Sequence, residues 1–115
     1  MIAVTLSALV LLIHMWFLYM EMIAWEAPAT RRAFGTTPEF AAATRAMAAN
    51  QGLYNGFLAV GIGLGWTTAN APMLAYLLLC CVVAGVYAAA TGIRRALLVQ
   101  SLPAALALAA LWFGV

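Results

Sequence analysis

Four long apolar stretches, divided by links that hold every basic residue, constrain this chain more than any motif does. A membrane-crossing helix needs about 20 mostly apolar residues. Stretches at about 2–25, 46–68, 72–91 and 96–115 meet that length. Of the 115 residues, 68% are apolar and only 7% are charged. Soluble domains carry about 25% charged residues, so this chain cannot cover a water-facing surface. The expectation is an all-α membrane protein: one transmembrane domain, residues 1–115, folded as an antiparallel four-helix bundle.

The links carry the direction of the fold. The stretch Glu26–Glu39 is the only polar segment of any length, and residues 26–39 are expected as a polar loop. Pro28 reads as the stop of the first helix. Thr37 followed by Pro38 reads as a cap and first turn, with an amphipathic lead-in to the second span. Asn70 and Pro72 mark a short turn between spans two and three. Short links imply antiparallel neighbours. All five basic residues fall in links one and three: Arg31, Arg32, Arg45, Arg94 and Arg95. Basic loops stay in the cytoplasm, so loops 1 and 3 are expected there and both termini on the non-cytoplasmic side. In a bacterium the expected location is the inner membrane. The first stretch lacks a basic leader and exceeds the 7–15 apolar residues of a secretory signal core, so it is expected as a retained helix.

Within this apolar background the polar residues stand out. Glu21 lies in the first stretch, and an acid at mid-membrane costs roughly 2.5–3.5 kcal/mol on insertion scales. Ser7, His14 and Glu21 recur every seventh residue, and such residues stay within about 20° of alignment on a helix. That stripe should face the protein interior, because lipid offers no hydrogen-bond partner. Span two opens AANQGLYNG. There Asn50, Gln51, Tyr54 and Asn55 share about 140° of helix arc. Span four contributes Gln100 and Ser101, with Arg94 shortly before them. The candidate ligand- or proton-binding residues are therefore Glu21, His14, Asn50, Gln51, Tyr54, Asn55 and Gln100. Trp25, Arg94 and Ser101 are secondary candidates, and Trp25 also fits the aromatic belt at a membrane interface. Gly52 with Gly56, and Gly61 with Gly65, have the spacing that lets helix backbones approach closely in lipid. The alanines of span four do the same.

Several classes are excluded. One histidine, the adjacent pair Cys80–Cys81 and scattered acids do not make a metal shell. No phosphate loop, dinucleotide fingerprint or Ser-His-Asp set is present, the chain having no aspartate, and no cofactor is expected. A net charge of +2 gives no basic surface for nucleic acid. The expected partners are membrane lipid, a small molecule of unknown identity, and a second copy in a homodimer if one chain encloses too little volume.

His14, Glu21 and Trp25, then Ala33-Phe34-Gly35, then Ala48 through Phe57 (AANQGLYNGF), resemble the domain of unknown function 1304 family. The stretch from Gly85 and Tyr87 through Thr91 to Gln100, Pro103 and Ala104 is similar too. The resemblance implies a small four-span bacterial-type inner-membrane protein and carries no activity with it. In size, span number and one acid in the first span, the chain is also similar to the small multidrug resistance transporters, which exchange protons for cationic drugs on a membrane glutamate. The NQGLYNG run and the arginine bias depart from their pattern.

Three functional readings follow. In the first, the protein binds or transports a small amphipathic or lipid-like molecule, with Glu21 as the charge-switching ligand and His14 as a proton relay. In the second, it is an intramembrane acid/base enzyme, such as an isomerase or cyclase, on a lipid-soluble substrate. In the third, it is a structural or accessory subunit whose polar layer only specifies packing.

Overall fold

The computed structural model describes residues 1–115, and every regular element is helical. Helix α1 spans Ile2–Leu18 and continues as a widened π turn, Tyr19–Ile23. Helix α2 is Pro28–Phe34, α3 is Pro38–Thr67 and α4 is Ala71–Ala90. A second π turn, Leu97–Ser101, leads into α5, Leu102–Trp112.

Two segments, Ile2–Ile23 and Ala71–Ala90, are long and apolar enough to cross a membrane. Only 22% of an apolar 18-residue window in each is buried. A core helix of a soluble protein would be mostly buried, so these helices present their apolar surface outward. Leu12, Ile23, Tyr76 and Leu98 are all more than 60% exposed. An apolar exterior of this kind is a surface for lipid. Helix α3, at 30 residues, has the length for a crossing. Its hydropathy is lowered by Asn50, Gln51, Tyr54 and Asn55, so it does not stand out with the other two. Helix α5 is apolar but short.

The helix boundaries have local causes. The Phe40 N–H donates to Thr37 Oγ1 at 3.1 Å, which caps α3 as the Thr-Pro pair predicts. The Met73 N–H donates to Asn70 Oδ1 at 3.0 Å, which caps α4. Gly35 closes α2 in the left-handed region, with φ +67°, where a β-carbon would be strained. Pro28 does not merely end the first helix. It is the first residue of α2, a position where its missing N–H costs nothing. The polar link is therefore partly helical.

The contacts divide the chain into two compact units. The first consists of Met1–Ile13 with Leu58–Val115. Its core is built from Val10, Ile62, Leu74, Leu78, Cys81, Ala104 and Ala107. Small residues set the helix spacing there. A β-carbon added to Gly65 would lie 3.2 Å from Leu74 Cβ. At Gly85 it would overlap Ser101 Oγ and lie 2.9 Å from the Ser101 amide nitrogen. The Ser101 hydroxyl donates to the Val82 carbonyl at 2.9 Å, so α4 meets the second π turn through a hydrogen bond made at the same close approach. Trp66 ties α3 to α1 within this unit. Its indole N–H donates to Ser7 Oγ at 3.0 Å, and the Ser7 hydroxyl donates to the Ala3 carbonyl at 2.6 Å.

The second π turn has a visible cause in Pro103. Proline cannot donate to the carbonyl four residues back, and its ring crowds that carbonyl. The turn before it widens instead, with the Leu102 N–H donating to the Leu97 carbonyl.

The second unit is His14–Phe57, comprising the end of α1, α2 and the first part of α3. Trp25 anchors it. Its indole N–H donates to Thr44 Oγ1 at 3.1 Å, and its ring meets Phe34 edge-on at 5.1 Å. Outside this anchor, Arg45 Nε lies 3.8 Å from Glu26 Oε2, with both side chains largely exposed. An exposed pair of that kind contributes little.

The glycine contacts give a contrast that thermal unfolding in detergent can read. Gly85→Ala meets backbone and is expected to lower stability by about 1–3 kcal/mol. Gly63→Ala would meet only Leu11 Cδ1 at 3.8 Å and is expected to leave stability unchanged or slightly raised.

Candidate functional site

The site lies where the last turns of α1 pack on α3 within the second unit. Three polar residues of the first helical segment are buried: Ser7 and His14 at 0% exposure and Glu21 at 4%. The ring of His14 meets Phe17 edge-on, with centroids 5.6 Å apart. Glu21 sits in the π turn, which the Ala24 N–H closes by donating to the Tyr19 carbonyl at 3.0 Å. Single π turns in helices are frequent at functional positions.

Helix α3 offers small residues to this turn. Ala48, Gly52, Asn55 and Gly56 are all buried. A β-carbon on Gly52 would lie 2.7 Å from Met22 Cγ, 3.0 Å from Glu21 Cβ and 3.2 Å from the Met22 amide nitrogen. On Gly56 it would lie 2.7 Å from Leu18 Cδ1. The first Gly-x-x-x-Gly pair thus lets α3 press against the residues that carry the acid. That approach brings Asn55 Nδ2 to 3.1 Å from Glu21 Oε1. The same nitrogen is 3.4 Å from the Gln51 carbonyl of its own helix. Both neighbours are acceptors, so the amide nitrogen is the atom turned toward them.

The other carboxyl oxygen differs. Glu21 Oε2 is buried and has no hydrogen-bond partner. Leaving a buried polar atom unsatisfied costs about 1–3 kcal/mol, and such atoms in folded proteins call for a specific reason. A carboxyl with one oxygen held and one free can accept a hydrogen bond from a guest, or carry a proton on the free oxygen.

The remaining candidates are placed differently from one another. Asn50, Gln51 and Tyr54 are exposed, Tyr54 to 61%, so of the four polar residues that open span two only Asn55 is buried. The Tyr54 ring meets Phe57 edge-on at 5.5 Å. Trp25 is half-buried and occupied with Thr44 and Phe34. Arg94, Gln100 and Ser101 belong to the first unit. There Arg94 is exposed, Gln100 half-buried, and Ser101 bonded to the Val82 carbonyl. No cluster of three His, Cys, Asp or Glu side chains that could hold a metal is present.

Sequence reasoning did not find Thr44 or Met22. Thr44 looks like any other threonine on a helix surface, and its hydroxyl also donates to the Phe40 carbonyl at 2.7 Å. The signal that could have found Met22 is Gly52, which implies a neighbour pressed against it.

Comparison with known proteins gives one match. A family model described as protein of unknown function (DUF1304) covers residues 8–112. No curated protein and no solved structure matches the chain.

Asn55→Ala removes the side-chain donor that reaches Glu21 Oε1. The expected loss is about 1–3 kcal/mol. Gly52→Ala is expected to cost a similar amount by forcing Met22 and Glu21 away. Both can be measured by thermal unfolding in detergent, with Asn55→Leu, which keeps the volume and removes the donor, as a check that the lost donor, not the lost volume, is responsible.

Proposed function

The chain belongs to the DUF1304 family, and we propose that it is a small membrane protein whose Glu21 carboxyl binds a small amphipathic or lipid-like molecule with coupled movement of a proton. The observation behind this reading is Glu21 Oε2, a buried carboxyl oxygen without a partner. Asn55 fixes the other oxygen and so aims the free one. A guest with a hydroxyl, amide or amine would satisfy it, and its apolar part would lie against surfaces such as Leu18 and Met22. His14, buried on the same helix, is the other buried titratable group of the unit and the candidate proton relay. Asn50, Gln51 and Tyr54 are not required as direct contacts.

Glu21→Gln tests this with little structural disturbance, because the glutamine oxygen can still accept from Asn55. Protein extracted in mild detergent should release a lipid-soluble molecule into organic solvent. Glu21→Gln should retain about ten-fold less of it, the worth of a hydrogen bond to a carboxylate. Rebinding of the extracted molecule should change the pH of a weakly buffered sample with the native protein only. Equal retention by Glu21→Gln would sink the reading and leave the accessory-subunit alternative.

The proposed membrane arrangement has four crossings, made by α1, α3, α4 and α5, with links one and three in the cytoplasm of an inner membrane. Its support is the placement of Arg31, Arg32, Arg45, Arg94 and Arg95 under the rule that basic loops are retained. Helix α3 is about 45 Å long at 1.5 Å per residue, against about 30 Å of hydrocarbon. Its first turns, with Glu39 and Arg45, therefore stand in the headgroups. In a chain carrying Cys80→Ala and Cys81→Ala, a membrane-impermeant maleimide should label Thr68→Cys on intact cells. Thr91→Cys should react only after the membrane is opened. The reverse pattern would invert the topology.

A further inference from the structure

We propose that one face of α3, formed by Phe40, Ala43, Met47, Asn50, Tyr54 and Phe57, is the docking surface for a second copy of this chain, packed parallel about a two-fold axis. These residues are spaced 3, 4, 3, 4 and 3 apart along a single unbroken helix. That is the heptad spacing that keeps one seam facing a partner helix in a left-handed pair. All six are exposed. The four large ones are more than half exposed: Phe40 53%, Met47 68%, Tyr54 61% and Phe57 56%. The seam also differs from the buried face of α3, which is made of Ala41, Ala48, Gly52, Asn55, Gly56 and Ala59. One helix thus carries two packing faces, and the chain itself covers only one of them.

The occupant follows from hydrogen-bonding complementarity. Asn50 stands in the middle of the seam, with Gln51 beside it, and both are exposed. Lipid tails cannot satisfy an amide, whereas an amide carries both donors and acceptors. The same residue on a second copy is therefore its complement, and a two-fold contact brings like residues together. The arginine bias gives every copy one orientation, so paired α3 helices run parallel and Asn50 meets Asn50. Charge bears on the contact only at its cytoplasmic end, where Glu39, exposed and eleven residues from Asn50, about 20° around the helix, would meet its copy in the headgroups, where salt screens the pair. Arg45 is nine residues from Tyr54, about half a turn around the helix. It faces away from the seam, beside Glu26 at 3.8 Å. Aromatic ends and a small Ala43 let the two helices close around the amides.

This inference rests on the proposed crossing of α3 but not on what Glu21 binds. Its test is oxidative cross-linking in native membranes, in a chain carrying Cys80→Ala and Cys81→Ala. Single cysteines at Met47→Cys and Asn50→Cys are expected to give a covalent dimer of this chain. Leu53→Cys, which lies about 100° around the helix, is expected to give none. Adding Asn50→Leu to Met47→Cys should lower the yield, since each interhelical amide bond is worth about three-fold in association. Asn50→Gln should restore it. No dimer from the seam cysteines, equal dimer from Leu53→Cys, or a product with a different protein would each overturn the proposal. Because the cross-link needs no ligand, retention of the bound molecule by Glu21→Gln would leave it standing.

Discussion

A carboxyl group buried among apolar side chains must find partners, and the hydrogen bond from Asn55 to Glu21 is the partner this chain supplies. Glu21 is 4% exposed and Asn55 8%, so water does not compete for the bond. Its existence depends on backbone proximity, which Gly52 and Gly56 permit and which no residue with a β-carbon would allow undisturbed. The energetic sense of the glycines is therefore chemical as well as steric. They bring α3 close enough for a short amide side chain to reach the acid. In lipid, apolar burial gives helices little reason to associate, and close packing with a few polar contacts has to do that work.

The two π turns show how the helices bend to polar demands. One carries Glu21 and the other carries Gln100 and Ser101. The second has a covalent cause in Pro103, the first none in its own sequence. In both, a polar side chain from the widened turn reaches the neighbouring helix: Glu21 accepts from Asn55, and Ser101 donates to Val82. Close glycines accompany both contacts, Gly52 in one unit and Gly85 in the other. The same local solution thus occurs twice.

Much of the helical framework was legible from residues with strong backbone preferences. Thr37 and Asn70 sit at the helix ends where their chemistry places them. The Ser7, His14 and Glu21 stripe is buried, as the cost of polar groups in lipid requires. Other features were not legible. The polar arc of α3 is wider than any one contact, so spacing alone could not say which edge turns inward. Packing selected the side bearing Gly52 and Gly56, which took Asn55 in and left Asn50, Gln51 and Tyr54 outside. Helix α2 was hidden because Pro28 signals an end and a beginning equally well. The π turn at Glu21 depends on contacts from α3, and no pattern within α1 announces it.

The hydrogen bonds of two tryptophans have an optical consequence. Trp25 and Trp66 give their indole protons to Thr44 and Ser7 and are half-buried. Trp16 and Trp112 are 57% and 85% exposed on an apolar exterior. Intrinsic fluorescence from this chain is thus a sum of two populations, one screened by protein and one bathed in acyl chains. Brominated lipids would extinguish the second and spare the first, leaving the emission of Trp66 and of Trp25, the latter four residues along the chain from Glu21.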